Sequence, residues 1–406
     1  MTSATRAFGI ALALSLASAA AAKEKHLAPG DHALPLSYKR IARSYLLHLP
    51  PAARGDAPLP LVIAFHGGGG NAKGFQAYAG LDAVADREGF AVVYPNGTGR
   101  LAPRLLTWNA GRCCGYALDN KLDDVGFARR VIESVAEHAR IDRKRIFATG
   151  HSNGAMMAYR LAAEAAGEIA AIAPVAGAMN LRREFAPTRA VPVLHIHSVD
   201  DPRALYAGGD NKSLSGATIH HEPVIAGLQR WEQRNGCSGA GRELERRSAP
   251  APNGDGEHTA VHIAAGCPAG AAVELWRLTG AGHGWPGNEP GPLPERVMGP
   301  HANVINAAEE AWKFFARFPS RSESLEREAS EARLGPLAAA RAAPLPSRPD
   351  AANVPAPYRA RSLPRIEALR AGALDPRDAS PQCSSTLTSF DTPFSSIVTP
   401  YSRSAI

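Results

Sequence analysis

Short, nearly continuous apolar runs alternate along this chain with longer stretches whose apolar residues recur every three or four positions. "PLVIAF" (Pro60–Phe65) and "FAVVYP" (Phe90–Pro95) are runs of the first kind, and predict strands covered on both faces. "KRIFATG" (Lys144–Gly150), "IAAIAPVAG" (Ile169–Gly177), "VPVLHIHSVD" (Val191–Asp200) and "AVELWRLTG" (Ala272–Gly280) predict further strands. Between them, "DVGFARRVIESVAEHAR" puts Phe127, Val131, Ile132 and Val135 on one helical face. "NGAMMAYRLAAEA" is rich in good helix formers, "EPVIAGLQRWEQRNG" is amphipathic and ends at Gly236, and "NVINAAEEAWKFFARF" aligns Val304, Ala308, Ala311 and Phe315. Strands separated by helices predict an α/β fold with a mostly parallel sheet and helices on both faces. Chemistry in such sheets sits in loops at the carboxyl ends of the strands.

The pattern fails at both ends. Residues 1–22 have the order of a secretory signal: Arg6, an apolar stretch Ala7–Leu16, then small residues Ala17–Ala22. The apolar stretch is too short and alanine-rich for a comfortable membrane span. A secreted or periplasmic protein with no stable membrane anchor is therefore expected. Residues 23–320 form the expected folded α/β domain, and residues 321–406, rich in Pro, Ala, Arg and Ser, read as a disordered tail. The formal charge of +7 over 406 residues comes from scattered basic residues, which argues against a nucleic-acid partner; a monomer is expected. Of five cysteines, Cys237 and Cys267 bracket a polar Gly/Pro-rich segment that a disulfide would staple as a loop. The adjacent Cys113 and Cys114 bond to each other or elsewhere, and Cys383 completes the set. No zinc-type spacing occurs.

"GHSNG" (Gly150–Gly154) falls where a strand ends and a helix begins. A serine on so sharp a turn has its oxygen exposed, and small residues two positions either side avoid a clash. Ser152 is the candidate nucleophile. A serine hydroxyl needs a base, and in this arrangement the partners follow in the order acid, then histidine. "VLHIHSVDDP" offers Asp200 and Asp201 after a strand; Asp201 is preferred because the residue before a proline is held extended. "GAGHGWPG" places His283 in a glycine-rich loop after the next strand. The oxyanion of acyl transfer needs backbone donors fixed in advance. The amide of Asn153 supplies one, and the glycine loop His66–Gly70 the other, with Gly68 favoured and Gly69 the near alternative. That loop fits neither the phosphate-loop nor the dinucleotide pattern, so no cofactor is expected. His195 and His197 alternate along one strand, and His220-His221-Glu222 follows. Packing or hydrogen bonding is their default reading, and no metal is assigned.

Taken in order, "LPLVIAFHGGGGNA", "VVYPNGTG", "TWNAGRCCG", "DDVGF", "RIFATGHSNGAMMAYRLA", "HIHSVDDP", "RNGC" and "GAGHGWPG" resemble the secreted serine esterases grouped around feruloyl esterases and polyhydroxybutyrate depolymerases, of the α/β-hydrolase fold. The resemblance runs from about Ser44 to Pro319 and implies Ser152, Asp201 and His283 as nucleophile, acid and base. His151 stands where the family often has a smaller residue or Leu, and Ala155 where it frequently has Gly. "HSVDD" replaces the family's H-G-x-x-D, with Ser198 and an extra Asp200. The implied reaction is acyl transfer on an ester, small or polymeric. Trp108, Asn109 and Trp285 lie in loops beside these elements and are candidate substrate-binding residues. The tail does not look like a polymer-binding domain, which favours feruloyl or related plant-cell-wall esters over a polyester. A peptidase with the same triad and a catalytically silent binding protein are the other readings.

Overall fold

The computed structural model describes residues 26–318 except 214, 215, 253, 255, 288, 289 and 292. The expected signal segment, the tail and Cys383 lie outside the described residues. Ten strands form one sheet among the described residues. In chain order they are β1 (Gly30–Tyr38), β2 (Ile41–Leu49), β3 (Leu59–Phe65), β4 (Ala91–Pro95), β5 (Ile141–His151), β6 (Ala171–Val175) and β7 (Val193–Ser198). After a separate hairpin of β8 (Gly209–Lys212) and β9 (Thr218–His221) come β10 (Ser238–Pro250), β11 (Glu257–Gly266) and β12 (Val273–Thr279). Across the sheet the order is β1-β2-β4-β3-β5-β6-β7-β12-β11-β10. The six from β4 to β12 are parallel, and an antiparallel hairpin flanks them on each side. After β3 the chain goes to β4 on one side and then crosses to β5 on the other. The crevice beyond the carboxyl ends of β3 and β5 is therefore a topological switch point, where open α/β sheets bind ligands.

The predicted mostly parallel sheet with helices on both faces is what forms. Helices α1 (Ala72–Ala79), α2 (Leu81–Glu88), α3 (Gly115–Asp119), α4 (Asp124–His138), α5 (Asn153–Glu164), α6 (Val224–Asn235), α7 (Glu295–Met298) and α8 (Ala307–Phe315) connect or follow the strands. Along β3 every residue is buried. Leu61, Ile63 and Phe65 join the core built with α4, α5 and α6, while Val62 and Ala64 join the core built with α1, α2 and α8. This two-sided burial is why the strand reads as a continuous apolar run. The predicted faces of α4 and α8 point inward: Phe127, Val131, Ile132, Val135, Ala308, Ala311 and Phe315 are all buried.

The structure departs from the sequence reading at the sheet margins. The segment between Cys237 and Cys267 is the β10–β11 hairpin, not a stapled loop. Its outer strand is largely exposed and carries "GRELERRS", so no apolar run announces it; charged side chains are a common guard on an edge strand. Cys237 and Cys267 come together at its open end, beside the Ser238–Gly266 register pair. Among the described residues, no helix is long and apolar enough to cross a membrane.

At the opposite margin His48 ties β1, β2 and α2 together. Its Nδ1 lies 2.7 Å from Asp31 Oδ1 and its Nε2 3.0 Å from Asp86 Oδ1. Burial works to lower its pKa, but the bonds to Asp31 and Asp86 and the charge of Asp82 outweigh it, so the net direction is up. A raised histidine pKa stabilises the fold fully below the unfolded value of about 6.5, and that contribution fades as pH rises through the folded value. His48→Gln should therefore lower the urea midpoint more at pH 6 than at pH 9. An equal loss at both pH values would show that the imidazolium is not the stabilising form.

Candidate active site

The elbow begins with backbone geometry. Ser152 follows β5 and caps α5 with φ 57° and ψ −120°, a left-handed conformation that strains any residue with a Cβ. Its amide donates to Val175 O at 2.9 Å, and its side chain makes no capping bond. The flanking glycines are dictated by space. A Cβ at Gly150 would lie 2.6 Å from Gly154 C and 2.7 Å from Phe65 O, and one at Gly154 would run into the Phe65 carbonyl.

Asp201 and His283 meet in the next loops. Asp201 Oδ2 accepts from His283 Nδ1 at 2.7 Å, while Oδ1 accepts the amides of Arg203 and Ala204 at 2.7 and 2.8 Å. Asp201 is buried. Burial works to raise its pKa, but attraction to His283 and His197 and their hydrogen bonds hold the carboxylate well below its usual range. Asp200 takes a different path: it is exposed, and its Oδ2 accepts the Gly280 amide at 2.7 Å. Of the two aspartates the sequence offers, only Asp201 is hydrogen-bonded to His283. The His283 loop is fixed by its own amide to Met298 O and by the Gly282 amide to Pro300 O. A Cβ at Gly282 would strike Met298 O.

The glycine loop after β3 lies beside the serine: a Cβ on Gly67 would be 3.5 Å from Ser152 Cβ. His66 shapes this loop. Its Nε2 accepts the Gly97 amide at 3.0 Å, so Nδ1 carries the proton and donates to Gly67 O at 2.8 Å. Burial pushes its pKa down to about 4, which keeps the ring neutral and this tautomer in place. The Gly69 amide is committed to Leu106 O and the Gly70 amide to Gly67 O. The Gly68 amide has no hydrogen bond among the described residues, and Asn153 opens α5, where amides lack helical partners. Gly69, the near alternative, is thus already occupied.

The expected substrate-binding residues Trp108, Asn109 and Trp285 are all buried. Trp108 and Trp285 are fully enclosed and leave no surface for a ligand. Trp108 is structural: its indole donates to His66 O at 2.9 Å, and its backbone is clamped by the Asn153 side chain through bonds of 2.8 and 3.1 Å. Asn109, also buried, donates its amide to Asp124 Oδ2, and Asp124 is ion-paired with buried Arg43 at 3.0 Å. These residues tie the glycine loop to the head of α5. Aromatic residues near site motifs suggested pocket walls, but the local sequence does not reveal how deeply a loop packs.

From the sequence, three histidines take no part in the site's chemistry: His221 reads as packing or hydrogen bonding, His151 as a departure from the family pattern, and His66 only as the head of the glycine loop. His151 lies with its ring centroid 4.8 Å from that of His283, and burial holds its pKa far below the usual value. His221 is buried with both ring nitrogens unbonded among the described residues, and interacts electrostatically with Asp201 and His283. The shaping role of His66 is absent from that reading, although a histidine heading a glycine run was the available signal.

A parallel sheet with a strained serine at the switch point and a carboxylate–histidine pair in the following loops defines an α/β-hydrolase. The family model described as "Esterase PHB depolymerase" matches residues 43–225. The chain is 30% identical over 349 residues to "Putative esterase NocK" of Nocardia uniformis subsp. tsuyamanensis, covering 77% of this chain and 99% of that protein. It is 29% identical over 247 residues to feruloyl esterase B of Piromyces equi, covering 59% of this chain and 42% of that protein. Among solved structures, an acetyl xylan esterase from Aspergillus awamori is similar with a TM-score of 0.43 at 13% identity, over 68% of this chain and 94% of that one. The chain belongs to the Esterase PHB depolymerase family, and it is a carboxylic-ester hydrolase.

Proposed function

We propose that this esterase acts through Ser152, His283 and Asp201 on feruloyl or related plant-cell-wall esters, as a secreted or periplasmic protein exported by residues 1–22. The carrying observation is the 2.7 Å bond from His283 to buried Asp201, in the loops next to the strained serine elbow. Ser152 Oγ attacks the ester carbonyl while His283 Nε2 takes its proton. The amides of Gly68 and Asn153 hold the oxyanion. Collapse of the intermediate expels the alcohol, which receives that proton from His283. Water then adds to the acyl-enzyme by the same route and releases the carboxylic acid. No cofactor enters. The Cys237–Cys267 pair suits an oxidising compartment.

The substrate class is supported by the relatives named feruloyl esterase, from Piromyces equi and Neurospora crassa. With Trp108 and Trp285 enclosed, the acyl slot draws on other walls. The family description favours a second reading, polyester depolymerase. Initial rates on methyl ferulate, methyl cinnamate, a hydroxybutyrate oligomer and nitrophenyl acetate separate the two. The highest kcat/KM is expected on methyl ferulate, about tenfold above the cinnamate, which lacks the phenolic hydroxyl. Preference for the oligomer would replace the first reading by the second.

A further inference from the structure

We propose that His197 is a positioning residue for the catalytic carboxylate, fixed in one tautomer by a buried chain that runs from Tyr159 through His195 to Asp201. The inference rests on the triad reading above.

His195 and His197 stand two apart on β7, so their side chains share a face. Tyr159 approaches from α5, the helix that begins at the nucleophile. All three are buried. Tyr159 Oη lies 3.0 Å from His195 Nδ1, and His195 Nε2 lies 2.9 Å from His197 Nδ1. His197 Nε2 faces Ala204 O at 2.8 Å and Asp201 Oδ2 at 3.2 Å. The proton positions follow from these partners. A carbonyl and an ionised carboxylate have no proton to give, so His197 Nε2 must carry one. In a neutral ring Nδ1 then accepts, which obliges His195 Nε2 to donate. His195 Nδ1 in turn accepts, which obliges Tyr159 to donate. Every bond then points towards Asp201.

The consequence is a carboxylate hydrogen-bonded from three directions and faced from a fourth. Two amides fix Oδ1 and His283 donates to Oδ2, while the His197 N–H, bonded to Ala204 O, stands 3.2 Å from Oδ2. Without the His197 N–H beside it the carboxylate keeps its other three bonds but loses a group that stabilises its charge and the contact that trims its tilt, so it becomes more basic, which favours the charged form of the catalytic base. The other titratable rings nearby are Tyr206, whose ring centroid lies 5.8 Å from that of His197 and whose pKa burial raises, and the two histidines His151 on β5 and His221 on β9. Burial keeps both histidines uncharged near neutrality, with the His221 pKa down to about 4. They therefore do not supply the acid limb of the rate profile.

The test compares His197→Phe, which removes the donor, with His197→Gln, whose amide nitrogen can reach the Nε2 position. The readouts are kcat and KM on a short acyl nitrophenyl ester, the acid-limb midpoint, and the imidazole ¹⁵N signals of the wild-type protein. His197→Phe is expected to lower kcat about 10- to 100-fold at nearly constant KM. It should also move the acid limb up by about half to one pH unit. His197→Gln should stay within about threefold of wild type on the same grounds. A folded His197→Phe protein with wild-type kcat and acid limb overturns the proposal, as does an equal loss in both variants. If His197→Phe does not fold, the ¹⁵N signals decide: a neutral Nε2–H ring on His197 upholds the proposal, and any other form overturns it. Retained activity in Ser152→Ala would instead sink the triad reading itself.

Discussion

Ser152→Ala is expected to lower kcat/KM on a short acyl nitrophenyl ester by about 10⁴-fold or more, with little change in thermal stability. Removing the nucleophile closes the acyl-enzyme route. What survives is the smaller acceleration from the oxyanion amides and substrate binding acting on water. Stability should hold because nothing that supports the fold is lost. The serine side chain makes no capping bond, and alanine keeps the Cβ, so the strain at φ 57° is neither added to nor relieved. Ser152→Gly tests that last point, since glycine occupies this region without strain and should raise stability by about 1 kcal/mol. Initial rates and thermal melts on the purified proteins read both effects. Alanine protein retaining a tenth of wild-type activity would remove Ser152 from the reaction.

How much of this was legible before the structure depends on how each element is stabilised. The inner strands were, because burial on both faces writes an unbroken apolar run, as in "PLVIAF" for β3. The margins were not. β10 reads "SGAGRELERRSAP" and is largely exposed, so its pairing rests on backbone bonds to β11 that leave no pattern of side chains. The elbow was legible because its sterics demand glycine at fixed positions, which is a constraint local to the sequence. The choice of Asp201 was only half legible: the proline after it hinted at a fixed backbone, while the bond to His283 spans 82 positions. The burial of Trp108 and Trp285 was not legible for the same reason, since whether an aromatic ring lines a pocket or fills a core is settled by distant partners. The Tyr159–His195–His197 chain combines a strand period that sequence shows with a cross-element contact that it does not.

Asp201→Asn is expected to lower kcat about 10⁴-fold, whereas Asp200→Asn should stay within about threefold of wild type. The asymmetry follows from the donors around each carboxylate. Asp201 faces only N–H groups: two amides on Oδ1, His283 on Oδ2, and the His197 N–H 3.2 Å from Oδ2. An asparagine offers one oxygen and one NH₂. If its oxygen serves the amides, the NH₂ faces His283 and forces the proton onto Nε2, the nitrogen that must accept from Ser152. If the oxygen faces His283, the NH₂ confronts two amide donors. Either way a buried donor is left unpaired, so about 1–3 kcal/mol of stability should go with the activity. The pH dependence has a definite sign. The folded pKa of Asp201 is lowered, so its contribution is complete above the unfolded value of about 3.9 and is lost as pH falls through the folded value. The stability gap between wild type and Asp201→Asn should therefore be widest near neutrality and narrow below about pH 4. Asp200 is exposed and accepts one amide, that of Gly280, so its replacement costs one surface hydrogen bond. Rates and urea unfolding across pH 3–8 for both variants measure all of this. Loss of activity in Asp200→Asn, with Asp201→Asn still active, would transfer the role to the other aspartate and require the His283 loop to move during catalysis.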